Sequence, residues 1–466
     1  MTATLLWLRQ DLRLRDNDAL RAAAARGQPV LPVYIWSPQE EGLWPPGAAS
    51  RWWLHHSLAA LDADLRRHGL RLILRRGAAL EALRALIRDS GATAVYWNRR
   101  YEPAAQQCSS GVKQALRRDG VEVRSFNSTL LLEPADFLNQ CGKPYQVYTP
   151  FMRQVLQRAD PPSAHALPRT LPAPSRWPAS DALDSLELLP RIPWYRTMAA
   201  LWQPGERGAQ QRLKSLLHSR IQDYAQARDL PAADGTSKLS AHLHFGEIGP
   251  RQLWQALDQS SHDSVFRREL IWREFGYHLL HHFPHTPDQP LREEFAHFPW
   301  ARGLAGLAAW QRGGTGVPLV DAGMRQLWHS GVMHNRARMV TGSFLVKNLR
   351  LPWQEGARWF WDTLVDADLA SNTLNWQWLA GSGADAAPYF RIFNPVLQGK
   401  RFDSQGRYVR RWVPELARLS ERDVHAPWLS AAPPPAYPAP IVDLNESRAA
   451  ALEAYKSMRA QVAIAH

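Results

Sequence analysis

The sequence predicts an α/β amino-terminal domain with a parallel, Rossmann-like sheet, joined by a long linker to a large all-α domain. Three observations predict it. Over residues 1–130, short β-rich apolar runs alternate with helical patterns, as βαβ units require. Residues 131–200 contain a Pro-rich stretch, 160–194, through which no helix can persist. Over residues 201–466 apolar positions recur with a period near 3.6, and no convincing strand is present.

The elements follow in order. Strands are predicted at 4–8 (TLLWL), 30–35 (VLPVYI), 71–74 (RLIL), 93–97 (TAVYW) and 121–126 (VEVRSF), with helices between them at 51–68 and 80–89. No G-x-G-x-x-G follows the first strand, so nothing here argues for a dinucleotide. The carboxyl edge of the sheet is still the default ligand site. Later helices are predicted at 208–228, 250–259, 264–282, 320–349 and 354–364, with a closing helix at 444–462.

Composition narrows the function. The 466 residues carry 56 Lys and Arg against 43 Asp and Glu, a formal charge of +13. Such an excess suits a polyanionic partner, nucleic acid above all. Two cysteines, Cys108 and Cys141, exclude a disulfide scaffold and a Cys-based zinc cluster. The amino terminus turns charged too soon for a signal peptide, and no apolar run is long enough to span a bilayer. A cytoplasmic protein with no membrane partner is therefore expected.

Four segments carry chemistry. No Lys or Arg lies between Arg358 and Arg391, yet Asp362, Asp366, Asp368 and Asp385 fall there beside Trp359, Trp361, Trp376 and Trp378. On a helix Asp368, Asn372 and Trp376 share one face: a carboxylate, an amide and an indole in a row. Such a row can hydrogen-bond a planar heterocycle and set an electron donor beside it. Glu269, Trp272 and Arg273 likewise share a face, suited to a flat polar ligand and a phosphate. Asn335, Arg338 and Met339 form a third face, with an amide able to read adenine. Thr236, Ser237 and Ser240 lie in a loop whose hydroxyls and N–H groups can cradle a phosphate. The His-rich run 278–288 fits no standard zinc spacing, so no metal site is assigned.

The chain resembles the DNA photolyase/cryptochrome flavoproteins along nearly its full length. The resemblance rests on WLRQDLRLRDN, GTSKLSAHLHFGEIGPRQ, ELIWREF, TGVPLVDAGMRQL, MHNRARM and DADLASNTLNWQW…DAAPYFRIFNP, in this order. It implies an α/β antenna domain and a helical domain holding FAD, active in its reduced anionic state. By position, Tyr224, Thr236, Ser237, Lys238, Leu239 and Ser240 would hold the FAD phosphates. Arg338 and Asp366 would form an ion pair beside the isoalloxazine, Asp368 would contact the ring edge, and Asn372 would face N5. Trp376, Trp353 and Trp300 would pass electrons from the surface. Glu269, Trp272, Asn335, Met339 and Trp378 would line the pocket for the damaged bases, with Arg228 and Arg336 toward the DNA, where the helical face read above also sets Arg273. Glu269, Asn335 and Asn372 would be the catalytic residues.

The resemblance implies light-driven repair of cyclobutane pyrimidine dimers in UV-damaged DNA by a monomeric enzyme. A cryptochrome-like blue-light receptor with little repair activity is the alternative. Met339, where six-four photolyases usually carry a second His, favours the cyclobutane branch, and Asn372 rather than Asp argues for repair. The chain departs from the family pattern at Lys238, usually Arg, and at Val332, often Trp. Ala105 stands where some folate-binding members have Glu, with Glu102 the nearest carboxylate. The second chromophore is expected to be methenyltetrahydrofolate, or otherwise a deazaflavin.

Overall fold

The computed structural model describes residues 2–158, 163–257, 264–301, 303–386 and 390–465. Five parallel strands run in the order β3-β2-β1-β4-β5, with β1 Ala3–Leu8, β2 Val30–Trp36, β3 Ile73–Arg76, β4 Ala92–Asn98 and β5 Glu122–Phe126. The central strand is buried along its whole length. That is why its sequence reads as one apolar run rather than an alternation.

Alternate side chains of β1 feed two cores, as the period of two dictates. Leu6 and Leu8 pack with Leu20, Trp52 and Trp53 of the helices Asp18–Ala25 and Ala48–Arg67. Leu5 and Trp7 pack on the other face with Leu83 and Leu116 of the helices Ala79–Ser90 and Pro103–Arg118.

Among the described residues no strand follows Phe126. Among the described residues the helical part has two large cores and a small cluster of Phe295, Phe298, Ala454 and Met458. One centres on Trp310, Phe344, Phe360, Trp376 and Tyr408. The other joins Leu213, Tyr224, Ile271 and Phe275 to the helix Tyr148–Arg158, which lies within the range read as linker. Residues 160–162 of the Pro-rich stretch, and residues 258–259 of the helix seen as Pro250–Leu257, lie outside the described residues. No helix among the described residues is long and apolar enough to cross a membrane.

Two periodic runs are broken. The run 208–228 splits into Glu206–Ser219 and Tyr224–Ala227. The run 320–349 splits into Pro318–Ser330, Asn335–Ser343 and a π-helical turn, Phe344–Asn348. Gly331 ends the first piece in the left-handed region, at φ 69°. His334 caps the next by accepting a hydrogen bond from the Arg336 N–H. Periodicity alone cannot see either stop.

The α/β and helical parts meet through buried polar groups. The Arg13 guanidinium, 1 % exposed, donates to the carbonyls of Asp16, Ser128 and Gly246 at 2.7–3.0 Å. Arg251 bridges Asp16 and Asp18, each at 2.9 Å. On the other side of the junction Glu274 accepts from the Leu131 and Leu132 N–H groups at 2.9 and 3.2 Å. Burial pushes its carboxyl up to about 7, although the neighbouring Arg273 charge and the two N–H groups oppose the shift.

Replacing Arg13 by Ala strands three buried carbonyls, and we expect a loss of about 3–5 kcal/mol of unfolding free energy in a urea titration. Lys at this position does not restore it, because an ammonium cannot reach three diverging acceptors as the guanidinium fork does. The raised Glu274 carboxyl gives a contribution present below its unfolded value near 4.5 and lost as pH rises through about 7. Glu274→Gln keeps an acceptor and no charge. It is therefore expected to be more stable than the wild type by ~1–3 kcal/mol at pH 8, with the difference vanishing near pH 4.

Candidate active site

The site residues lie along the seam between the two helical cores. Trp272 and Leu374 pack against one core, Met339 and Trp378 against the other. The helix Ser264–His282 carries Glu269, Trp272 and Arg273, and the helix Leu369–Ala380 carries Asn372, Trp376 and Trp378.

Asp368 caps the second helix, accepting from the Ser371 N–H at 2.8 Å. Its carboxylate also takes a hydrogen bond from the Tyr277 hydroxyl, and His244 Nδ1 lies 3.7 Å away. Burial raises this carboxyl, but His244, the Arg273 charge and the Tyr277 hydroxyl outweigh it, so Asp368 is held well below the usual range. Asn372, one turn on, donates its amide to the Ala357 carbonyl at 3.2 Å. Trp376, two turns on, is 2 % exposed and touches Phe360 and Trp310 at ring distances of 5.0 and 6.4 Å. Gly356 admits it: a Cβ there would come within 2.1 Å of the indole.

Asp366 takes both its oxygens to Arg338, at 2.9 Å each, and accepts from the Ser240 hydroxyl at 2.6 Å. Arg338 is aimed by its own bond to the Met333 carbonyl at 2.8 Å. The loop 236–240 is pressed against the Tyr224–Ala227 turn, where Gly235 has no room for a Cβ beside Ala227. Lys238 takes a positive φ of 54° and pairs with Asp234 at 2.5 Å, as Arg220 does at 2.6 Å. Thr236 and Ser237 are half-buried, and Leu239 is buried, which anchors the loop.

The remaining residues divide. Glu269 pairs with Arg228, and the Arg228 guanidinium lies 5.8 Å from the Tyr224 ring centroid. Trp272 stacks face to face on Tyr148, at 3.5 Å and 4°. Asn335 is exposed, with its amide 3.9 Å from Met339 sulfur. Arg336 reaches Asp229 at 2.8 Å and lies over the Phe402 ring. Trp378 packs beside Phe393 with Arg391 over its ring.

Arg273 corrects the reading that set it on the ligand face. Its guanidinium donates to the Thr129 carbonyl at 2.9 Å, lies 3.5 Å from Glu274 and sits over Tyr277. Its Nη1 is engaged at the domain junction, and the side chain is 11 % exposed. Trp353 is 2 % exposed in the same core as Trp376, and Trp300 packs on its edge against Phe298.

Sequence reasoning missed Tyr148, which lies where no periodicity was sought, and the Phe360 and Trp310 contacts of Trp376. It also missed Tyr277 and His244 at Asp368. The spacing of His244, four residues after Ser240, was visible but pointed to no partner. A cavity of about 200 Å³ went unseen too. It opens between the α/β part and the helical part, with Trp36, Trp44, Arg100, Glu102, His244 and Trp361 among its walls.

Residues 266–457 match the family described as the FAD binding domain of DNA photolyase, and residues 4–174 match the DNA photolyase family. The chain is 48 % identical to a deoxyribodipyrimidine photo-lyase of Agrobacterium fabrum, covering 98 % of each. It is 39 % identical to cryptochrome-2 of Arabidopsis thaliana, over 91 % of this chain and 72 % of that one. The crystal structure of a bacterial class III photolyase from Agrobacterium tumefaciens superposes with a TM-score of 0.95 at 47 % identity, covering 98 % of both.

Proposed function

Because the chain belongs to the DNA photolyase/cryptochrome family, we propose that it repairs cyclobutane pyrimidine dimers in DNA under blue light. It is an enzyme of the deoxyribodipyrimidine photolyase type and a flavoprotein that uses FAD. The observation that carries the finer reading is the grouping along one seam of the Arg338–Asp366 pair, Asp368, Asn372 and the Glu269–Trp272 face.

The donor set suits the cofactor. Thr236, Ser237, Lys238 and Ser240 supply hydroxyls and a cation for a pyrophosphate, with Tyr224 and Leu239 bracing the loop. Lys238 and Ser240 now lean on Asp234 and Asp366, contacts that a phosphate would compete for. Arg338 offsets the carboxylates beside the ring, which favours an anionic reduced state. Asn372 presents an amide that cannot titrate, so the charge there is fixed. The chemistry that FAD supplies when bound is the light-driven loan of one electron to the dimer.

The chain's own work is placement. Photolyases are among the enzymes that take their target out of the stack, at a cost of a few kcal/mol that is lowest for damaged pairs. Arg228 and Arg336 would hold backbone phosphates without reading sequence. Trp272, backed by Tyr148, and Trp378, backed by Phe393, would stack on the flipped bases. Glu269 and Asn335 would hydrogen-bond the dimer, and Glu269, steadied by Arg228, would stabilise its radical anion. Met339 would fill the floor. Trp376, Trp353 and Trp300 would carry electrons inward when the cofactor arrives oxidised. We take the working form to be a monomer.

The cavity at the domain junction suits the second chromophore. It is walled by indoles, which stack on a flat ring, and by Arg100 and Glu102, which can bind its polar edge. Methenyltetrahydrofolate is the first choice and a deazaflavin the second. Ala105 also lines this cavity, and Glu40, Glu41 and Glu102 are carboxylates within reach.

The direct test is repair of a thymine-dimer oligonucleotide by purified, reduced protein in blue light and in darkness. Repair in light alone is expected; bound FAD with repair in neither condition favours a receptor. Glu269→Gln should lower repair per absorbed photon by about tenfold or more, the worth of one charged hydrogen bond, while FAD content holds. An unchanged yield removes Glu269 from the mechanism. Trp300→Phe should block photoreduction of oxidised protein yet leave repair by pre-reduced protein intact, which a flash-photolysis and repair comparison reads directly.

A further inference from the structure

The segment Asp366–Leu369 is a wall with two sides. Asp366 faces Arg338 and Ser240, and Asp368 faces Tyr277 and His244. Ala367 and Leu369, between and after them, line the cavity at the domain junction. The short helix Ser240–His244 runs alongside this wall and touches both carboxylates, Ser240 at Asp366 and His244 at Asp368. A spacing of four on the helix thus matches a spacing of two on the turn that leads into the Leu369–Ala380 helix.

His244 also lines the cavity. Its residue is 7 % exposed, and its Nδ1 is buried without a hydrogen-bond partner, 3.7 Å from an Asp368 oxygen. That separation is just beyond hydrogen-bond length. A buried nitrogen left unpaired beside a buried carboxylate is costly, so something on the ring's other side must settle its tautomer.

We propose that His244 is a positioning residue that carries occupancy of the cavity to the flavin. A planar heteroaromatic ligand in the cavity donates an N–H to Nε2. The neutral ring then holds its proton on Nδ1 and donates it to Asp368, closing the gap. Pterins and deazaflavins both carry such donors on the ring edge. Asp368 gains a further donor beside Tyr277 and Ser371, and its negative charge is spread further. The field it casts on the ring edge weakens, and the reduced anionic flavin is favoured. The inference rests on the reading above that Asp368 faces the flavin and that the cavity holds the second chromophore.

The test is the flavin reduction equilibrium, followed by absorbance against a reference dye, with the intact flavoprotein stripped of and then reloaded with methenyltetrahydrofolate. A hydroxydeazaflavin is used if the folate does not bind. Loading is expected to shift the equilibrium toward reduced flavin by about fivefold, the lower end of site-to-site coupling. His244→Phe should bind the chromophore and show no shift. His244→Asn places an amide N–H where Nδ1 stands, so it should show the shifted equilibrium before loading and no further change after it. Should either variant fail to fold, the wild-type titration decides alone. Chromophore bound without a shift in the wild type overturns the coupling, and failure of both chromophores to bind overturns the cavity's part in it. Asp368→Asn separates the two readings. If it shifts the equilibrium while loading does not, only the coupling fails. If it does nothing, the flavin placement fails and the coupling with it.

Discussion

The structure hangs on one buried cation. Arg13 reaches the Asp16 turn beyond β1, Ser128 at the exit of the sheet and Gly246 in the helical part through their carbonyls, with the Asp16 carboxylate 3.8 Å away. Burial lowers its basicity, and the carboxylates of Asp16 and Asp11 oppose that shift. Carbonyl acceptors are fixed by backbone, so the guanidinium ties three chain segments into one frame. Gly246 is held there in turn: its φ is 65°, and a Cβ would strike the Gln10 carbonyl at 2.0 Å. His244 and Phe245 lie two and one residues before it, and both line the cavity. The position of the cavity wall therefore follows from a cation in the first loop.

Much of the fold was legible because its signals are local. The five strands stand within a few residues of their predicted places, since an apolar run with turns at its ends needs no distant partner to be seen. The Asp368–Asn372–Trp376 face was legible for the same reason: helical spacing alone places it. What failed was whatever depends on contact. Arg273 is four residues from Glu269, and spacing put both on a ligand face. The guanidinium instead found Thr129, more than a hundred residues earlier. Gly331 breaks a periodic run because a left-handed residue is needed where Val365 N–H meets its carbonyl at 2.8 Å, a requirement set by tertiary structure.

The cavity is the extreme case. Its walls come from β1, β2, the start of the Pro103–Arg118 helix, residue 244 and the 361–369 segment. No window of sequence contains them, and their types, indoles with two arginines, three glutamates and an aspartate, read singly as core and surface. Even the acidic, Trp-rich segment has a second use. Asp362 accepts the Ala48 N–H at 2.8 Å and Trp361 donates to the Pro45 carbonyl at 2.7 Å, so part of that segment closes the domain junction.

A lent electron and a lasting signal ask different things of the groups around a flavin. A signal must outlive the light, which a change in protonation accomplishes and a purely electronic change does not. A repair cycle returns the electron within the turnover and gains from a charge pattern that stays fixed. The groups nearest the seam are of the fixed kind. Asn372 is an amide bonded to a backbone carbonyl, Arg338 and Asp366 neutralise each other, and Asp368 is held ionised by its neighbours. A carboxyl that burial lifts toward neutral pH, Glu274, lies one layer out at the junction. That separation, fixed charge at the seam and a titratable carboxyl at the domain boundary, favours repair over signalling. It also leaves the boundary as the place where the same frame could be turned toward a receptor's use.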